Sequence, residues 1–203
     1  MSAIVIGGGQ AGLAAGHYLA RAGVPFTILE AAAEPAAAWR ERWDSLRLFT
    51  PARYSSLPGA PFPGDPDHYP TRDEVVEYLT GYARDLPISY DSRVLAVRPG
   101  FEVELADRTL HADHVIVATG PFQIPRAPAF AVDVPQLHST EYRNPASVPE
   151  GRVLVVGGGN TGFQIAEELT ATHEVHLAVG SRQPRLPQRI LGVDCSATSR
   201  RSA

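Results

Sequence analysis

A single cysteine, Cys195, is present in the whole chain, so no disulfide can close within it and no Cys-x-x-Cys redox pair exists. Dithiol chemistry is excluded on that ground. Charge of one sign is also scarce: 18 Lys and Arg stand against 22 Asp and Glu, a formal net charge of −4. No basic patch carries interleaved aromatics, so nucleic acid is not an expected partner. There is no stretch of 18 apolar residues and no charged segment leading into an apolar run and a cleavage site, so no membrane association is expected and the cytoplasm is the default location. Histidines recur in two close pairs, His111/His114 and His173/His176, but each pair flanks a strand start without a third ligand nearby and reads as surface, not metal site. With 44% hydrophobic residues in 203, the chain can bury one large core or two small ones.

Glycine is placed with more purpose. Gly7-x-Gly9-x-x-Gly12 leads 18 residues on to Glu30, and Gly157-x-Gly159-x-x-Gly162 leads 18 residues on to Gly180. An apolar strand enters each motif (Ala3 to Ile6; Val153 to Val156), a helix leaves it (Gln10 to Ala22; Thr161 to Thr172), and a second strand follows, as in Phe26 to Leu29. In a strand, turn and helix so arranged, the first Gly makes the turn, the second admits a pyrophosphate and the third lets helix and strand pack closely. The helix N-terminus offers unpaired N–H groups and a positive dipole end. Two dinucleotides are therefore expected. Glu30 suits the bare ribose hydroxyls of one nucleotide and repels a 2′-phosphate. At the matching position of the second motif stands Gly180, with Ser181 and Arg182 after it, a hydroxyl and a guanidinium that favour NADPH over NADH; Arg185 and Arg189 are alternatives for the cation.

Between the motifs, Ala31 to Pro70 is rich in Ala, Pro and aromatics (Trp39, Trp43, Phe49, Tyr54, Phe62, Tyr69). It reads as a long shaped loop suited to a flat ring system, with a satellite core as the alternative. Thr71-Arg72-Asp73-Glu74 is a capping box opening a helix to about Leu86, with Val75, Val76, Leu79 and Tyr82 as its buried stripe. Strand-like segments at Val94 to Val97, Phe101 to Leu105 and Thr109 to Leu110 predict a small antiparallel meander, and Val115 to Ala118 returns to the main sheet at Thr119-Gly120. Proline recurs from Pro121 to Pro149, which blocks helix and central strand and suits a domain crossing. The fold class predicted is α/β, with two Rossmann-like dinucleotide-binding domains, the second incomplete, and a small antiparallel β-meander. The expected boundaries are 1–148 and 149–203, with a disordered tail from about 194.

These residues resemble a family, the bacterial flavin-containing monooxygenases, similar to plant indole-pyruvate monooxygenases and to bacterial flavoproteins linked by name to cation transport. The resemblance covers residues 1 to about 193. It rests on GGGQAG (7–12), Trp39, DSLRLFTPARYSSLPG (Asp44 to Gly59), YPTRDEVVEYL from Tyr69, VIVATG from Val115, HSTEYRNP from His138 and GGGNTG (157–162). It implies FAD at the first fingerprint, with Gly7, Gly9, Gly12 and Glu30 on phosphates and ribose and Gln10, Ala11, Trp39, Leu46, Val94, Ala118, Thr119 and Gly120 around the rest. It implies NADPH on Gly157, Gly159, Asn160, Thr161, Gly162, Ser181 and Arg182. Of the family's interdomain histidine motif, His138 and Tyr142 match, whereas Val132 and Val134 replace its Phe and Gly; Pro51 matches the plant-like branch. Family members continue for well over a hundred residues beyond this length.

The resemblance implies that NADPH reduces FAD and that the reduced flavin captures O₂ as a C4a-hydroperoxide, which oxygenates a small organic substrate. No catalytic acid, base or nucleophile is visible in the sequence, which suits cofactor-driven chemistry. Two alternatives accompany this reading: an NAD(P)H–flavin oxidase that does not oxygenate, and a nucleotide-binding remnant without catalysis. A homodimer is left open.

Overall fold

The structure, a computed structural model, describes residues 1–121, 124–127, 133–181, 187–190 and 193–195. It divides into two compact units that interleave in sequence. Unit 1 comprises Met1–Glu41, Ser56–Pro63 and Asp73–Pro125; unit 2 comprises Arg42–Ser55, Gly64–Arg72 and Arg126–Ala203. The sequence suggests one cut near 148. The aromatic-rich segment from Ala31 to Pro70 is itself divided, with 42–55 and 64–70 in unit 2 and the rest in unit 1.

In unit 1, Ala3-Ile4-Val5-Ile6 contains no polar side chain and must be covered on both faces. As strand β1 (Ala3–Ile6) it lies inside a four-stranded sheet and is between 0% and 7% exposed. Helix α1 (Gln10–Arg21) follows, then β2 (Phe26–Leu29) and the short helix α2 (Ala37–Arg40). Helix α3 (Arg72–Ala83) leads to β3 (Ile88–Ser89), and β4 (Ala96–Arg98), β5 (Glu102–Glu104) and β6 (Thr109–His111) form the meander before β7 (His114–Val117). The parallel sheet has the order β3-β2-β1-β7, and β4-β5-β6 is antiparallel, as the sequence predicts.

Alternation along β1 assigns its faces. Val5 points to α1, where a Cβ on Gly12 would touch it, while Ile4 and Ile6 join Leu29, Val103 and Leu105 beneath the meander. Each such fully buried aliphatic side chain contributes about 1.5–3 kcal/mol, so the meander is part of the core that holds β1. Helix α3 buries Val75, Val76, Leu79 and Ala83. Its Tyr78 and Tyr82 hydroxyls donate to the carbonyls of Ala60 and Pro58, each at 2.6 Å.

Unit 2 is built on β8 (Arg152–Val156), α4 (Asn160–Leu169) and β9 (Glu174–Ala178), a parallel β-α-β. Ile165, Ala166 and Leu169 are its buried helix face. A hairpin of β10 (Arg189–Ile190) and β11 (Val193–Asp194) follows. Asp194 is 6% exposed and accepts hydrogen bonds from the Tyr69 hydroxyl at 2.6 Å and Gln188 Nε2 at 2.9 Å. Residues 196–203 lie outside the described residues.

The loop residues of unit 2 are held by hydrogen bonds, not by periodic packing. Leu48 N–H donates to Pro70 O at 2.8 Å, and Ala52 N–H to His68 O at 2.9 Å. The Gln164 carboxamide imitates a strand against Arg47, donating to its carbonyl at 2.9 Å and accepting from its N–H at 3.2 Å. Asp44 binds Arg72 Nη1 and Asn144 Nδ2, both at 2.7 Å. These two donors, Asn144 foremost, hold the Asp44 carboxyl below its usual pKa. Its stabilising contribution is therefore fully present above the ordinary carboxylate range and is lost as pH falls below it. Asp44→Asn should abolish that part of the acid-unfolding profile, measured by circular dichroism between pH 5 and pH 2; an unchanged profile would remove this network from the stability of unit 2.

Some loop aromatics are core. Trp43 (4% exposed) and Phe62 (7%) are buried, and Phe62 packs on Tyr78 with ring centroids 4.5 Å apart; Phe49 stays 58% exposed. Tyr142 is buried in unit 2 and donates to Glu168 Oε2 at 2.6 Å, so burial and that carboxylate raise its pKa.

Candidate dinucleotide-binding sites

The first glycine motif forms a closed turn whose shape depends on missing side chains. Gly7 has φ +105°, a conformation open to glycine, and its N–H donates to Leu29 O at 2.8 Å. A Cβ on Gly12 would fall on the Gly7 carbonyl oxygen, far inside van der Waals contact. A Cβ on Gly7 would meet the Ala118 carbonyl, which places the Ala118-Thr119 backbone beside the motif. Gly9 caps α1 from an extended conformation, no side chain caps the helix, and nothing lies within 4 Å of where its Cβ would be. The exposed start of the helix, Gln10 and Ala11, thus presents N–H groups to open space.

Glu30 reaches under this turn. Its Oε2 accepts from Gly8 N–H at 2.6 Å and its Oε1 from Ala32 N–H at 2.9 Å. Gly8 has a part that spacing arguments alone miss, since a Cβ there would stand 3.0 Å from Glu30 Oε2. The available signal was the unbroken triplet Gly7-Gly8-Gly9. A carboxylate offers about four acceptor positions, so two remain for a ligand's hydroxyls.

The second motif repeats this geometry. Gly157 has φ +125° and its N–H donates to Ala178 O at 2.9 Å; a Cβ on Gly162 would overlap the Gly157 carbonyl oxygen; Gly159 caps α4 without side-chain help. Gly157, Gly159, Asn160 and Thr161 are exposed around it.

Strand register corrects one sequence expectation. Ile6 pairs with Leu29 and Val156 with Ala178, so the residue equivalent to Glu30 is Val179, not Gly180. The path from the third glycine to the second strand is one residue shorter in unit 2, and equal counting from Gly12 and Gly162 therefore overshoots. The carboxylate is still missing, and Ser181, exposed, lies two residues past the acid position. Arg182 and Arg185 fall outside the described residues.

The remaining candidates separate. Trp39 is half-buried on α2 in unit 1. Val94 packs against the cluster under the meander. Leu46 belongs to unit 2, 7% exposed, with its carbonyl bonded by Arg72 N–H at 2.9 Å. Val132 is outside the described residues. Among the described residues no group of His, Cys, Asp and Glu could hold a metal ion, and no helix is long and apolar enough to cross a membrane.

Two glycine cradles, each at a helix N-terminus and each closed to a side chain at its third glycine, fit the pyrophosphates of two dinucleotides. This defines a protein of the two-dinucleotide α/β class. The chain belongs to the pyridine nucleotide-disulphide oxidoreductase family, whose model matches residues 4–189. An uncharacterized CzcO-like oxidoreductase of Geobacillus kaustophilus is 44% identical over 198 residues, covering 93% of this chain and 57% of its own length. The indole-3-pyruvate monooxygenase YUCCA4 of Oryza sativa subsp. japonica is 32% identical, with 94% and 50% covered. The flavin-containing monooxygenase of Stenotrophomonas maltophilia superposes with a TM-score of 0.90 at 37% identity, covering 98% of this chain and 62% of that one. The chain thus spans about half the length of the curated relatives it matches. With Cys195 as its only cysteine, it carries no dithiol for the disulphide chemistry in the family's description.

Proposed function

We propose that this chain provides the nucleotide-binding portion of an NADPH-dependent flavin monooxygenase acting with O₂ on a small organic substrate in the cytoplasm. The observation that carries the reading is the pair of cradles with the same internal geometry but different residues at the ribose position, Glu30 in one and Val179 in the other. FAD would sit at the first, with Glu30 accepting from ribose hydroxyls and the N–H groups at the start of α1 facing the pyrophosphate. NADPH would sit at the second, where the apolar Val179 leaves a 2′-phosphate unopposed and Ser181 and Arg182 would bind it.

The flavin, when bound, supplies hydride acceptance and oxygen activation. This chain's residues bind and orient: Gly12 and Gly162 let helix approach strand, and Glu30 fixes the turn through Gly8. Relatives named as monooxygenases support the reading at the level of the family.

The deciding measurement is the absorbance spectrum of the purified chain with added FAD, before and after NADPH. A yellow protein bleached by NADPH is expected. A colourless protein after reconstitution would defeat the proposal, and hydrogen peroxide formed in equal amount to NADPH consumed whatever compound is added would replace monooxygenase with oxidase. A charge-assisted contact contributes about 1.5–3 kcal/mol, so Arg182→Ala should weaken NADPH roughly 10- to 100-fold while leaving NADH unchanged. Equal losses for both would remove the 2′-phosphate assignment.

A further inference from the structure

The parallel register of β2 and β3 pairs Ile28 with Ile88 and Leu29 with Ser89, so one residue further on, where the strands end, Glu30 comes to lie beside Tyr90. Glu30 N–H still follows the ladder and donates to Ser89 O at 2.9 Å. The chain after β3 then folds back over Glu30. Asp91 has φ +50°, a left-handed conformation that Asp tolerates better than most residues, and its N–H donates to Ala32 O at 3.0 Å, while Ser92 N–H donates to Glu30 O at 2.8 Å. Ser92 is 4% exposed, with its hydroxyl donating to Tyr90 O at 3.0 Å and lying 2.8 Å from the Ser89 hydroxyl. Residues 89–92 are thereby fixed to the same short stretch, Glu30 to Ala32, that holds the first glycine turn.

Tyr90 itself is half-buried, and its hydroxyl makes no hydrogen bond to the described residues. Burial, and after it the charge of Glu30, raises the pKa of the phenol, so the group keeps a proton to donate. A carboxylate can only accept. The ribose hydroxyls of an adenosine would therefore find acceptors for their protons at Glu30 but no donor for their oxygen lone pairs. A phenol beside that carboxylate supplies one, at the carboxyl end of the strands where ligands of open α/β sheets bind.

We propose that Tyr90 is a binding residue of the first cradle: its O–H donates to a ribose hydroxyl oxygen of the bound adenosine diphosphate group, while Glu30 accepts from the same ribose. This role rests on the nucleotide part of the function proposed above and not on flavin or oxygen chemistry. The pair reads a ribose that carries its hydroxyls. Tyr90 lies outside the glycine motif and far from Glu30 in the chain, and only the β2–β3 register and the turn through Asp91 and Ser92 bring the two together.

The probe is ADP, read by amide hydrogen exchange at both cradles in one sample, residues 7–12 and residues 157–162. In the unaltered chain ADP should slow exchange at 7–12. Tyr90→Phe deletes only the hydroxyl, so the ADP concentration that half-protects residues 7–12 should rise about threefold to tenfold, the range of one neutral hydrogen bond. The melting temperature, exchange at 88–92 without nucleotide and the ADP response at 157–162 should not change. With 2′,3′-dideoxy-ADP, which has no ribose hydroxyl, the two chains should be half-protected at the same concentration. The proposal is overturned if ADP leaves residues 7–12 unprotected, or if Tyr90→Phe does not shift the ADP midpoint. A loss that persists with the dideoxy nucleotide, or faster exchange at 88–92 without nucleotide, would overturn it too, by making Tyr90 a structural support. A chain that gives the expected ADP result yet stays colourless with FAD defeats the flavin reading and leaves the role of Tyr90 standing.

Discussion

Gly12→Ala is expected to yield a chain that retains no flavin, because the new methyl group would occupy the position of the Gly7 carbonyl oxygen. That oxygen belongs to a turn fixed on both sides, by the Gly7 N–H bond to Leu29 and by the Ala118 backbone against Gly7. Backbone on backbone has no flexible end to swing aside, so α1 must move away from β1 and the phosphate-facing turn opens. Flavin affinity should fall by more than about 100-fold, in line with the largest effects of overpacking and backbone strain. Gly162→Ala is the matched control, with the same overlap on the Gly157 carbonyl. It should spare flavin and eliminate reduction by NADPH. Titration of FAD by fluorescence quenching and rapid-mixing absorbance separate the two; flavin binding lost equally in both variants would mean that the motifs do not serve different nucleotides.

Glu30→Ala is expected to have the second-largest effect, and through two routes. It removes the acceptor proposed for the ribose hydroxyls, and it leaves the N–H groups of Gly8 and Ala32 without their carboxylate. Each orphaned, partly buried donor costs about 1–3 kcal/mol, so both the melting temperature of the apoprotein and its FAD affinity should drop. Glu30→Gln separates the contributions. Its carboxamide oxygen can keep one backbone bond while the negative charge is gone. If Glu30→Gln retains the melting temperature but weakens FAD at least tenfold, the carboxylate acts on the ligand; if FAD affinity tracks stability in both variants, Glu30 is a brace for the turn and nothing more.

Local pattern carried much of this molecule. β1 is legible because four consecutive apolar residues before a glycine motif have only one comfortable home, the interior of a parallel sheet. The antiparallel meander was legible from the strand-like segments at Val94 to Val97, Phe101 to Leu105 and Thr109 to Leu110. Its strand limits shifted by one or two residues because hydrogen-bond pairing, and not composition, sets them. The helix expected to reach Leu86 stops at Ala83, where the chain turns towards Pro87.

What could not be read in advance is non-local. That Asp44 would meet Asn144, that Gln164 would stand in for a strand against Arg47, and that Trp43 and Phe62 would be core while Phe49 stays exposed depends on contacts between segments far apart in the chain. No periodicity encodes such contacts. The Gly180 count failed for a related reason, since register is set by the sheet and a helix-to-strand connection can lose a residue without disturbing either element.

By itself, the order of residues determined that this chain would make two glycine turns at helix N-termini, one followed by a carboxylate and the other not, because steric exclusion at a glycine and alternation along a strand are local properties. Only the tertiary structure decided which residue answers to Glu30 and which loop belongs to which unit. Those are facts of pairing and burial, and they exist only once distant segments are brought together.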